Sequence, residues 1–112
     1  MAIEFEGQSI ETNDNGYLLD TAAWSEGLAE VMAGADDIAL SERHWDVINY
    51  LRDQYFNNNA TQPNTRTIVK AMSDEWGEKV SQKDLYDLFP LDPSKQGGRI
   101  AGLPESRRKG GY

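Results

Sequence analysis

Residues 41–59 read SERHWDVINYLRDQYFNNN, and the fold class follows from this stretch. Trp45, Ile48, Leu51, Arg52 and Tyr55 recur at intervals of three and four, which places them on one face of a 3.6-residue helix. Ser41 stands where an N-cap belongs, and Glu42 puts a carboxylate in the first turn, where the helix dipole favours it. Asn57, Asn58 and Asn59 break the pattern. The spacing predicts a long amphipathic helix at the centre of a small core.

Toward the N-terminus, Ala22, Leu28, Val31 and Met32, with Trp24, return at helical spacing over residues 21–33. Asp20 or Thr21 serves as N-cap, Gly27 weakens the helix without breaking it, and Gly34 stops it. Before that, Ala2-Ile3-Glu4-Phe5-Glu6 alternates with period two, and Gly7-Gln8 turns it toward a second strand at Ser9-Ile10-Glu11. Asn13-Asp14-Asn15-Gly16 is a loop of turn formers. Glu11, Asn13, Asn15 and Gly16 match the start of an EF-hand, but Ala22 occupies the twelfth position, where a bidentate glutamate is needed, so no metal is expected.

Downstream, Pro63 and Asn64 introduce a helix over residues 65–76, with Ile68, Val69, Met72 and Trp76 on its buried side and Gly77 at its end. Ser81-Gln82-Lys83-Asp84 opens another in a capping-box pattern and runs through Leu85, Leu88 and Phe89. Asp92 then caps a short helix with Pro93 at its first position, which Gly97 and Gly98 should fray. The expected fold is mainly α within the α+β class. It is a small helical bundle containing a helix-turn-helix-like pair, with a short N-terminal β-hairpin and a flexible C-terminal arm. Residues 1–92 form the helical domain with its hairpin, and residues 93–112 the last helix and the basic arm. The core is drawn from Trp45, Ile48, Leu51, Val69, Met72, Leu85 and Leu88.

Charge divides the 112 residues unevenly. Lys95, Arg99, Arg107, Arg108 and Lys109 are five of the 11 basic residues, and Glu105 is the one acid of the 19 that falls among them. A basic arm follows an acidic body. We expect Arg99, Arg107, Arg108 and Lys109 to anchor the arm on an acidic protein surface, with Ile100 and Leu103 supplying apolar contact. The net charge of -8 opposes general affinity for nucleic acid, because phosphate neutralisation drives that binding. The helix-turn-helix-like pair keeps a DNA-binding regulator as the alternative function. Its second helix offers Gln82 and Lys83 to DNA against Asp84 and Asp87.

No cysteine occurs in the sequence, so persulfides, disulfides and thiolate metal sites are excluded by chemistry. His44 is the one histidine and has no nucleophile to activate, so a structural role is expected. Neither a phosphate loop nor a zinc motif appears, and the chain is expected to hold no cofactor and not to be an enzyme. The start, Met-Ala-Ile-Glu-Phe-Glu, lacks the blocks of a signal peptide, and no apolar run approaches the roughly 20 residues of a membrane span. A cytoplasmic monomer without membrane attachment is expected.

The segment Arg99-Ile100-Ala101-Gly102-Leu103-Pro104, behind Leu88-Phe89-Pro90, resembles the arm of the DsrC/TusE family of small sulfur-relay proteins, which carries an R/K-x-A-G-L-P core. The resemblance extends through Asn15-Gly16-Tyr17-Leu18, Val31-Met32-Ala33 and the run from His44 to Arg52, and so covers nearly the whole chain. It implies a helical domain with an N-terminal hairpin and an arm that delivers a thiol to a partner. In that family a cysteine next to last in the chain carries the sulfur, and in DsrC proper another immediately precedes the basic residue of the core. Here those positions read Gly111 and Gly98, and the link between them is two residues longer than usual. Glycine cannot bear a persulfide. The resemblance therefore implies a non-catalytic docking or regulatory protein whose partners are sulfite-reductase-like or sulfur-relay proteins, or an adaptor that uses a partner's thiol. Nucleic acid stands second among partners.

Overall fold

The structure, a computed structural model, describes residues 2–105. Strands β1 (Ala2–Phe5) and β2 (Gln8–Glu11) form an antiparallel hairpin. Ile3 pairs with Ile10 and Phe5 with Gln8, leaving Glu6 and Gly7 as the turn. Both turn residues have positive φ, 49° and 77°, which matches the right-handed twist of a two-residue hairpin. Ile3, Phe5 and Ile10 pack against the helical core.

Five helices follow, α1 (Glu26–Ala35), α2 (Glu42–Asn57), α3 (Thr65–Trp76), α4 (Gln82–Leu88) and α5 (Pro93–Ile100). The helix expected over residues 21–33 is divided. Asp20 caps only a 3-10 turn, Thr21–Ala23, and Trp24 is extended at φ -71° and ψ 144°. Ser25 starts α1, its Oγ accepting from Leu28 N–H at 3.1 Å. The helix runs past Gly34 and ends near Asp37, which takes a left-handed φ of 61°. Leu28, Ala29, Met32 and Ala33 are buried, whereas Val31 is exposed.

Helix α2 is the central helix, but its buried stripe lies one residue earlier than the apolar pattern indicates: His44, Val47, Ile48 and Leu51. Trp45 and Tyr55 are only partly buried. The reason is that His44 is fully satisfied inside. Its Nδ1 accepts from Ser41 N–H at 3.0 Å, and its Nε2 lies 2.9 Å from the Leu88 carbonyl, where it donates. A polar ring with both nitrogens paired costs little to bury.

Asn64 caps α3 through Thr67 N–H at 2.9 Å, and Gly77 ends it in a left-handed conformation. Trp76 Nε1 donates to Asp46 Oδ2 at 2.8 Å and ties α3 to α2. Ser81 and Asp84 form the reciprocal capping box of α4. Ile48, Leu51, Met72 and Leu85 are fully buried, while Trp45, Val69 and Leu88 pack around them. Helix α5 contacts α1, α2, α3 and α4 and closes the core. It does not fray at its paired glycines: both are buried, and a Cβ at Gly97 would stand 3.2 Å from Leu51 Cδ1. Glycine there lets α5 and α2 approach closely.

Candidate docking site at the root of the C-terminal arm

Asp92 starts α5, accepting from Ser94 N–H at 2.9 Å and Lys95 N–H at 3.0 Å. Arg99 forms an ion pair with Asp36, whose Oδ2 also accepts from Gln96 Nε2 at 3.0 Å. One carboxylate on the α1 side thus holds two side chains of α5. Arg99 is engaged by this chain's own acid.

The chain beyond Arg99 is seated by side chains from three other segments. Trp24 Nε1 donates to the Ile100 carbonyl at 2.8 Å, Arg52 Nη1 to the Ala101 carbonyl at 2.8 Å, and Gln62 Nε2 to the Pro104 carbonyl at 2.8 Å. The Arg52 guanidinium also lies 3.8 Å from the Trp24 ring centroid and 4.8 Å from that of Phe56. Cation–π attraction offsets part of its desolvation, and that desolvation lowers the Arg52 pKa. Ile100 and Leu103 are 0% and 1% exposed, so the apolar contact expected of them is made within this chain's core. Gly102 has φ of 78°, and a Cβ there would come within 2.3 Å of Trp24 Cδ1. The R-I-A-G-L-P core is thus a packed plug.

Glu105 ends the described chain with its carboxylate between two amides, at 2.7 Å from Asn13 Nδ2 and 2.8 Å from Asn15 Nδ2. Tyr17 OH donates to the Lys95 carbonyl at 3.2 Å. Burial first, and then the Glu105 charge, push the Tyr17 pKa above 10. A cleft of about 210 Å³ opens beside these groups, lined in part by Lys95, Arg99 and Glu105. Gly98 is buried, yet a Cβ there would meet nothing within 4 Å, so the position has room for a side chain. Arg107, Arg108, Lys109 and Gly111 lie outside the described residues.

Trp24, Gln62, Asn13 and Asn15 hold the arm but carry no spacing that links them to it. The one local signal is the Asn-rich loop, whose turn-forming character is readable without its target. Among the described residues no helix is long and apolar enough to cross a membrane. The pair α3 and α4 offers little to DNA: Gln82, Lys83, Asp84 and Asp87 are exposed, and Lys83 pairs with Asp87 at 3.2 Å.

Residues 4–108 match the family described as DsrC like protein. The chain is 49% identical over 104 residues to the sulfurtransferase TusE of Pectobacterium atrosepticum, covering 92% of this chain and 94% of that protein. It is 48% identical over 102 residues to the sulfurtransferase TusE of Escherichia coli K12, covering 90% and 93%. The crystal structure of the oxidized gamma-subunit of dissimilatory sulfite reductase (DsrC) from Archaeoglobus fulgidus superposes with a TM-score of 0.88 at 33% identity, covering 96% and 98%. These relatives correct the expectation that the chain is not an enzyme, since proteins about half identical to it are named sulfurtransferases. The sequence itself contains no cysteine. With the match spanning the hairpin, all five helices and the arm's packed core, the chain belongs to the DsrC-like family.

Proposed function

We propose that this chain works in a sulfur relay, or beside a sulfite-reductase-type enzyme, by docking on a partner through its C-terminal arm while the sulfur rides on the partner's thiol. The observation that carries this reading is a seated arm root without a carrier: the R-I-A-G-L-P core is held by Trp24, Arg52 and Gln62, while Gly98 and Gly111 stand where the resemblance places cysteines. Arg107, Arg108 and Lys109 give the arm the charge to meet an acidic surface. With Ile100 and Leu103 in the core, their part is to hold the arm's base in place. Occupying a site that cysteine-bearing relatives also use would make the chain a regulator of the same relay.

Capture of sulfite-reductase-like or sulfur-relay subunits tests this. The full chain is expected to bind them, a chain truncated after Pro104 to lose binding, and added salt to weaken it as exposed charges are screened. Random duplex DNA is the counter-probe. Tail-dependent duplex binding at ~0.15 M salt, without subunit capture, would replace docking by the DNA-binding reading.

A further inference from the structure

The geometry points to Glu105 as a positioning residue: its carboxylate, clamped by the side-chain amides of Asn13 and Asn15, latches the end of the arm's packed core to the N-terminal loop. Asn13 Oδ1 accepts from Asn15 N–H at 2.9 Å and from Tyr17 N–H at 3.1 Å. That turn leaves Asn13 Nδ2 as the donor facing Glu105 at 2.7 Å. Asn15 Nδ2 reaches the other carboxylate oxygen at 2.8 Å. The two ends of the clamp are about 90 residues apart in sequence, so it joins the loop after the hairpin to the last described residue. Arg107 follows Glu105 by two residues in the sequence.

Glu105 is exposed and its partners are neutral, so the latch is a weak, reversible closure and not part of the core. The contacts inward of it, at Pro104, Ala101 and Ile100, are made by other side chains, Gln62, Arg52 and Trp24. Opening the latch therefore frees the end of the arm while the fold stands. The inference concerns the free chain, and only its consequence for docking rests on the proposed function.

The Asn13→Asp substitution keeps the Oδ1 acceptor of the loop and replaces the donor by a second anionic oxygen facing Glu105. The readouts are the heteronuclear NOE of the Glu105 amide and hydrogen exchange at Leu103, whose N–H donates to the Gly98 carbonyl at 3.0 Å. We expect a fall in the first and roughly fivefold faster exchange in the second, the size set by one modest hydrogen-bonded contact. Combining Asn13→Asp with Glu105→Lys should restore both, since an ammonium then faces the new carboxylate. Glu105→Ala leaves the loop untouched and should loosen the same amides, which guards against a loop fault in Asn13→Asp. Unchanged order of the amide at position 105 in Asn13→Asp or Glu105→Ala, or no recovery in the double variant, would overturn the latch. No partner is needed, so a failure of docking leaves this result standing.

Discussion

Gly102 carries the tightest constraint in the arm. A Cβ there would meet Trp24 Cδ1, Cγ and Cβ at 2.3 to 2.7 Å, on a backbone with φ of 78°. Trp24 cannot yield without breaking its bond to Ile100 and its stack on Arg52. Gly102→Ala is expected to cost roughly 2 to 4 kcal/mol, combining overpacking with a left-handed backbone. Gly77→Ala, with φ of 66° and open space, should cost only about 1 kcal/mol. Equal shifts in denaturant midpoint for the two would mean that Trp24 moves freely.

His44 adds a pH dependence. Desolvation lowers its pKa below 6.5, against the opposing pull of the Leu88 carbonyl. Protonation would also turn Nδ1 from an acceptor into a donor facing Ser41 N–H. The unfolded chain therefore binds this proton more readily, and stability falls as pH drops below about 6.5 toward the folded value. Urea midpoints measured across that window should decline for the native chain and decline less for His44→Gln. Parallel profiles would remove His44 as the cause.

Among the elements, α2 and α5 carry the fold together. Leu51 touches the space that Gly97 leaves open, and Ile48 lies wholly inside. Ile48→Ala or Leu51→Ala should destabilise by roughly 2 to 5 kcal/mol, as buried large-to-small changes do. An unchanged midpoint in both would show that this face is not the core. The apolar spacing of α2 is plain in the sequence, but its stripe sits one residue earlier because His44 finds partners on Ser41 and Leu88. For α1 the error has another cause. Trp24 fits a helical pattern, yet its indole is needed by the Ile100 carbonyl, so the helix begins only at Glu26.

At the scale of the whole molecule, the proposed role leaves the sulfur on the partner's thiol. Incubated with a sulfur donor, it should gain no mass that dithiothreitol removes, since no thiolate exists to form a persulfide. Intact-mass spectrometry checks this, and a reducible addition of one sulfur atom would contradict it. Gly111→Cys is the complementary variant and should acquire such a mass.

Composition and local pattern alone determined the helical class, the hairpin, the caps at Ser41, Ser81 and Asp92, the absence of a thiol and the resemblance of the arm. These are short-range properties, set by spacing, turn chemistry and residue type within a few positions. Only the tertiary structure decided that Ile100 and Leu103 are core, that Gly97 and Gly98 continue a helix, and that Arg99 belongs to Asp36. Read locally, glycines and a run of basic residues describe an arm that stays free. Against α2, the same glycines are the space that lets α5 close the core, and burial of apolar area outweighs their conformational entropy.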